Sequence, residues 1–170
     1  MSYFFFGTLM DADVMEAVIG RPLPPAWARP ARLSGYRRVC LREEPFPVLV
    51  PAAGMSVLGI VVDWLNAEDI DRVLFFESIE YAPLEVIVAV DGGGRESAMV
   101  FADSGAAERR DTPWDITVWA ARQKAEDLRL TRLWMAFYGR YDIATANRLW
   151  DEAVTAGRPL EDLLRSASAG

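Results

Sequence analysis

The chain has no histidine, one cysteine and no cluster of basic residues, and each absence removes a class of chemistry. Without histidine there is no His-based catalytic triad and no His-ligated zinc site. Cys40, being alone, forms no internal disulfide, which suits a reducing compartment. With no histidine to act as its base, it reads as a small core or strand residue rather than a nucleophile. Eighteen basic residues against 25 acidic ones leave a net charge of −7, and no Lys/Arg run is available to follow a phosphate backbone. Nucleic acid is therefore not an expected partner. The N-terminal apolar run is short and lacks a basic flank, so a signal peptide does not fit, and Asp63 interrupts the longest later apolar stretch. The expectation is a cytoplasmic protein with no membrane partner. Chemistry is left to carboxylates, hydroxyls, backbone amides or a lysine.

What is present suits a domain with a substantial core: 170 residues, 52% of them apolar. Tyr3 to Phe6 is aromatic throughout and reads as a short strand buried on both faces, with Gly7 supplying a conformation closed to other residues. Asp11 or Asp13 caps a helix carrying Val14, Met15, Val18 and Ile19 on one face, ended by Gly20. A proline-rich connection leads to a strand over 31–41, interrupted near Gly35. PFPVLVPAAGMSVLGIVVDWL then reads as strand, Ala-Ala-Gly turn, strand. Asn66 caps a helix with Ile70, Val73 and Leu74 on its apolar face, and this helix runs into Phe75-Phe76-Glu77. Alternating Leu84, Val86, Val88 and Val90, followed by Gly92-Gly93-Gly94 and 97–102, predict a hairpin. Beyond a polar stretch at 104–111 the period becomes helical. Thr112-Pro113 is read as N-cap and first position of a long helix through about Phe137, and further helices follow around Ile143–Ala153 and Leu160–Leu164. The tryptophans at 119, 134 and 150 read as core or dimer packing.

Two places stand out chemically. Gly7-Thr8-Leu9, between a strand and a helix start, is where free amides and the helix dipole favour an anionic group, although an ordinary tight turn has the same local sequence. Glu77 stands at a helix C-terminus after two phenylalanines, where the dipole and desolvation both disfavour its charged form, as suits a general base. A helix-end glutamate paired with a surface Arg or Lys is the plainer alternative. Glu80 and Glu85 read as strand-face charges, and Asp63 as a buried carboxylate paired with an arginine such as Arg38.

FFFGTLM, SGYRR, PFPVLVP with the following VLGIVV, and FFESIEY occur in an order that resembles the γ-glutamylcyclotransferase-like family, in its AIG2-like branch, over residues 3 to 102. The resemblance implies an α+β fold, a small mixed β-barrel with flanking helices (1–104); the C-terminal helical extension (105–170) lies outside the matched region and is expected to pack on the barrel as one structural domain. It implies that Phe6, Gly7, Thr8, Leu9 and Tyr81 bind a small γ-glutamyl substrate and that Glu77 is the catalytic acid/base, with no metal or organic cofactor. The reaction implied is cyclisation to 5-oxoproline with expulsion of an amine, amino acid or peptide, and a homodimer through the C-terminal helices is a further expectation. Three positions depart from the family pattern. Phe6 replaces a usual Tyr, Ser78 a usual Gly, and Ala82-Pro83-Leu84 lacks a basic residue often found there. These departures keep open a catalytically silent binding module on the same fold, and a different carboxylate chemistry in the same pocket.

Overall fold

A computed structural model describes residues 1–41, 46–78, 81–103 and 109–166. The chain begins with β1 (Tyr3–Phe5), a short 3₁₀ turn (Thr8–Met10), α1 (Ala12–Ile19), β2 (Arg29–Leu41), β3 (Pro47–Val62) and α2 (Ala67–Glu77). It continues with β4 (Tyr81–Val90), β5 (Arg95–Asp103), β6 (Arg109–Pro113), α3 (Ile116–Arg122), α4 (Lys124–Met135), α5 (Ile143–Thr155) and α6 (Glu161–Ser166). Pairing runs β3-β1-β5-β4-β2 and returns from β2 to β3, which closes five strands into a barrel. Only β1 and β5 are parallel, meeting at Tyr3 and Met99, so the barrel is mixed. β6 lies outside the ring, pairing with the far end of β2 through Val39 and Pro113. This is the α+β mixed barrel that the resemblance implied. Among the described residues no helix is long and apolar enough to cross a membrane.

The aromatic strand explains where the core sits. Side chains alternate across a strand, so Phe4 and Phe6 enter an interior cluster built from strand residues such as Leu33, Leu49, Val61, Val88 and Val100. Phe5 points the other way, into a second cluster with Val14, Met15, Val18, Phe75, Trp119 and Phe137 between barrel and helices. Burying each phenylalanine contributes roughly 1.5–3 kcal/mol. β3 lies so close to this strand that a Cβ on Gly59 would fall 2.4 Å from the Phe5 carbonyl oxygen and 2.5 Å from Phe4 Cζ.

Helix ends follow the caps. Asp11 accepts the Asp13 and Val14 amides at 3.1 and 3.4 Å and starts α1. Asn66 and Asp69 exchange backbone-to-side-chain bonds of 2.9 Å at the start of α2, and Arg21 grips the same carboxylate at 3.0 and 2.5 Å. Burial pushes the Asp69 carboxyl up, but the Arg21 guanidinium and the Asn66 amide outweigh it and hold the group below its usual 3.8. The C-terminal helices join this frame through polar contacts. Lys124 lies 2.8 Å from Asp11 and 2.7 Å from Asp13, Trp134 Nε1 donates to the Phe75 carbonyl at 3.0 Å, and the Tyr138 hydroxyl donates to Asp71 at 2.7 Å.

Several expectations are corrected. The Ala-Ala-Gly segment is no hairpin turn but part of one long strand. Ser34 pairs with Ser56 and Tyr36 with Pro51, so Gly35, at φ +85°, stands opposite residues 52–55 in a bulge. Thr112 and Pro113 lie in β6, held by pairing to β2. Asp115 is the cap instead, accepting the Thr117 and Val118 amides at 2.8 and 3.1 Å. The single long helix breaks at Gln123, whose φ of −127° leaves the helical region, and the Trp119 indole crosses the break to Asp127 at 2.5 Å. Asp63 is exposed and bridges Arg29 at 3.0 Å rather than Arg38. Glu85 is an exposed strand-face charge that accepts from the Ser97 hydroxyl, as read, whereas Glu80 lies outside the described residues.

Two outcomes follow. Gly59→Ala is expected to lower stability by about 1–3 kcal/mol, since backbone and a packed ring occupy the space its methyl needs; an unchanged melting temperature would show that β1 and β3 can part freely. Asp69→Asn is expected to cost roughly 1–3 kcal/mol near neutral pH. A carboxylate with a depressed folded pKa stabilises above its ordinary value and loses that contribution as pH falls through the folded value. Urea unfolding should therefore find the gap between wild type and variant wide at neutral pH and closing below 3.8, while a gap independent of pH would contradict the assignment.

Candidate active site

The segment leaving β1 is fixed from three directions. The Phe6 ring is anchored in the barrel interior. Its carbonyl receives Arg38 Nη1 at 2.5 Å, and the same guanidinium lies 4.7 Å from the Trp114 ring centre. Burial pulls the Arg38 pKa down from its usual value, against the influence of nearby Asp115. Gly7 has a φ of −119° and a ψ of −146°, outside the left-handed region. Its role is close approach: a Cβ there would sit 2.8 Å from Pro47 Cγ on β3. The turn is closed by Met10 N to Gly7 O at 3.0 Å and Asp11 N to Thr8 O at 2.9 Å, bonds that use neither the Thr8 nor the Leu9 amide.

Facing this loop is the end of α2. Phe75 is buried beneath Trp134, their rings 5.2 Å apart, which sets the last turn that carries Phe76 and Glu77. Ser78 then takes φ +58° and ψ −154°, a region natural to glycine and one that costs a serine about 1–3 kcal/mol. Its hydroxyl is held by Asn147 Nδ2 of α5 at 2.8 Å. Tyr81, opening β4, places its hydroxyl 3.4 Å from the Pro47 carbonyl, beside the Gly7 contact.

Between these parts lies a cavity of about 430 Å³. Phe6, Gly7, Thr8, Leu9, Glu77 and Tyr81, the six residues singled out from sequence, all reach its wall. Phe46, Pro47 and Ser78 complete the barrel side. The opposite side was not identified from sequence: Asp127, Leu130, Thr131 and Trp134 of α4, and Asn147, Trp150 and Asp151 of α5. Their spacings, 127/130/131/134 and 147/150/151, put each set on one helix face, which was the available signal. Burial pushes the Asp127 carboxyl up, while the Trp119 indole acts the other way. Thr8 and Thr131 are each only 7% exposed, and neither hydroxyl has a hydrogen-bond partner among the described residues. The arrangement thus brings a carboxylate, a glycine-containing loop and two unspent hydroxyls around a largely apolar, partly open space.

A family model described as gamma-glutamyl cyclotransferase, AIG2-like, matches residues 3–121. AIG2-like protein D of Arabidopsis thaliana is 24% identical over 136 residues, 77% of this chain and 86% of that protein. Two solution structures from Arabidopsis thaliana, each 20% identical, share the fold. One has a TM-score of 0.56 over 76% of this chain and 86% of its own, the other 0.58 over 78% and 81%. A structure named gamma-glutamyl cyclotransferase, 15% identical, has a TM-score of 0.50 and covers 78% of this chain and 86% of its own. At such identities the structural likeness speaks for the fold alone, whereas the family match covers most of the chain, from the aromatic strand through α2 and the hairpin to α3. The chain belongs to the gamma-glutamyl cyclotransferase, AIG2-like family.

Proposed function

We propose that this protein releases 5-oxoproline from a small γ-glutamyl compound, with Glu77 as general acid/base. The observation that carries the reading is the meeting of Glu77 with the Phe6–Leu9 loop on one cavity, in a chain of this family. Glu77 takes a proton from the substrate α-ammonium, and the freed nitrogen attacks the γ-carbonyl carbon. Amides of the Gly7–Leu9 loop face the oxyanion that develops. The ring nitrogen gives up its extra proton to solvent, Glu77 returns the proton it took to the departing nitrogen, and collapse breaks the amide C–N bond, giving 5-oxoproline and a free amine. Attack within one molecule supplies the proximity that two separate substrates would have to gain by binding.

Asn147 has a positioning part in this scheme. By holding the Ser78 hydroxyl it keeps a serine in backbone geometry natural to glycine, directly after the catalytic carboxylate.

Glu77→Gln is expected to reduce 5-oxoproline release by a factor of roughly 10²–10⁴, while the rise in melting temperature caused by a γ-glutamyl ligand persists. The assay is a panel of γ-glutamyl amino acids, γ-glutamyl amines and glutathione; wild type silent on all of them would end the cyclotransferase reading. Asn147→Ala is expected to lower kcat about tenfold or more, given the sensitivity of catalysis to small misplacements. In a Ser78→Gly background the same change should have little effect, since glycine needs no clamp. Equal losses in both backgrounds would show that Asn147 acts by another route.

A further inference from the structure

Three successive peptide planes form the loop after β1, and each is held by its carbonyl. The Phe6 carbonyl accepts from Arg38 Nη1 at 2.5 Å, the Gly7 carbonyl from the Met10 amide at 3.0 Å and the Thr8 carbonyl from the Asp11 amide at 2.9 Å. All three peptides are trans, so the N–H of the following residue points opposite to each held carbonyl. Those following residues, Gly7, Thr8 and Leu9, line the cavity, whereas the holders Arg38, Met10 and Asp11 do not. Two of the planes are locked by the backbone turn itself. The first depends on a side chain, and it is also the plane most free to turn over. Pro47 Cγ, 2.8 Å from the place of a Cβ, demands glycine at position 7. Glycine in turn admits the φ of roughly +60° that half a rotation of this plane would produce from −119°.

Resting on the cyclotransferase reading, we infer that Arg38 is a positioning residue: by holding the Phe6 carbonyl it keeps the Gly7 N–H turned to the cavity, where that amide donates to the γ-carbonyl oxygen as negative charge develops on it. The guanidinium is itself held. It lies 4.7 Å from the Trp114 ring centre, and its other contacts are the Leu58 carbonyl at 3.4 Å and the Met10 sulfur at 3.7 Å. Trp114 comes directly after β6, whose last residue, Pro113, pairs with Val39, the neighbour of Arg38. Arg38 touches no substrate and moves no proton. Attack by the substrate nitrogen pushes the carbonyl electron pair onto oxygen, and collapse returns it when the bond to the departing amine breaks; the Gly7 amide shares its hydrogen only in that interval. Without the guanidinium the Phe6 carbonyl loses its donor, and turning toward the cavity lets it find water. The plane then presents an acceptor where the donor stood, opposing the developing charge.

The test pairs kinetics with a direct view of the plane. Arg38→Met keeps an apolar stem in place and removes the donors, whereas Arg38→Lys keeps a donor but loses the flat stack on Trp114. On the γ-glutamyl compound that wild type turns over best, Arg38→Met is expected to lower kcat by roughly 10²-fold, with KM changed by less than about threefold. Arg38→Lys should recover a large part of that loss. An unchanged kcat, whatever KM does, or a Lys variant as poor as the Met variant, would overturn the role. In ¹⁵N-labelled protein, the residual dipolar coupling of the Gly7 N–H should change in Arg38→Met while those of Thr8 and Leu9 stay, since their planes are held by the backbone turn. A Gly7 coupling that does not change, or equal changes at all three, overturns the positioning even where the enzyme is active. This second measurement needs no turnover: with a wild type silent on every γ-glutamyl compound, a change confined to Gly7 upholds Arg38 as the holder of the plane while the cyclotransferase reading falls. Should Arg38→Met not fold, Arg38→Gln, two bonds shorter than arginine, is read in the same two ways.

Discussion

The placement of β1 is the constraint on which the rest depends. This strand of three residues is the seam of the barrel, antiparallel to β3 on one side and parallel to β5 on the other. Its alternating aromatic side chains join the two hydrophobic clusters, Phe4 inside the barrel and Phe5 beneath the helices. Neither cluster can shift without moving the other. Gly59 permits the close approach of β3, and Arg38 takes the carbonyl of Phe6 just beyond the strand's last residue. The loop after β1, with Phe6, Thr8 and Leu9 buried, therefore inherits its position from the barrel. Buried aromatic area sets the backbone.

The opposite side of the cavity depends on longer-range contacts. α2 is fixed at its start by Asn66, Asp69 and Arg21, and at its end by Trp134 on the Phe75 carbonyl and Asn147 on Ser78. Glu77 lies between the last two contacts, both of which come from helices far away in sequence. Lys124, bridging Asp11 and Asp13, ties α4 to the first helix and so to the loop side as well. The distance between carboxylate and loop is thus governed by α4 as much as by the barrel.

This division explains what could be read from sequence. Local chemistry identified the aromatic strand, the Asn66 cap, the Gly92–Gly94 hairpin and the helix ending at Glu77, because each is set by neighbours in sequence. The errors arose where distant pairing prevailed. Residues 52–55 look like a turn until β2 is seen beside them with Gly35 opposite. Thr112-Pro113 looks like a helix start until pairing with β2 claims it for β6. Gly7 is legible as a place where a Cβ is forbidden, but the residue that forbids it, Pro47, is forty positions away. For the site the same rule holds. The loop and Glu77 are marked by short motifs, whereas Thr131, Trp134, Asn147 and Trp150 have the spacing of any buried helix face. Trp134 in fact serves as both core and cavity wall.

The family match ends at residue 121, and the α4–α5 face begins at Asp127. The shared segment carries the loop, the carboxylate and the barrel that aligns them. The opposite wall of the cavity is contributed by later residues whose chemistry the shared motifs do not specify. Two relatives with the same loop and glutamate can therefore differ in that wall. In this chain that surface combines two indoles, one unpartnered hydroxyl and two carboxylates, with no positive charge among its described lining residues.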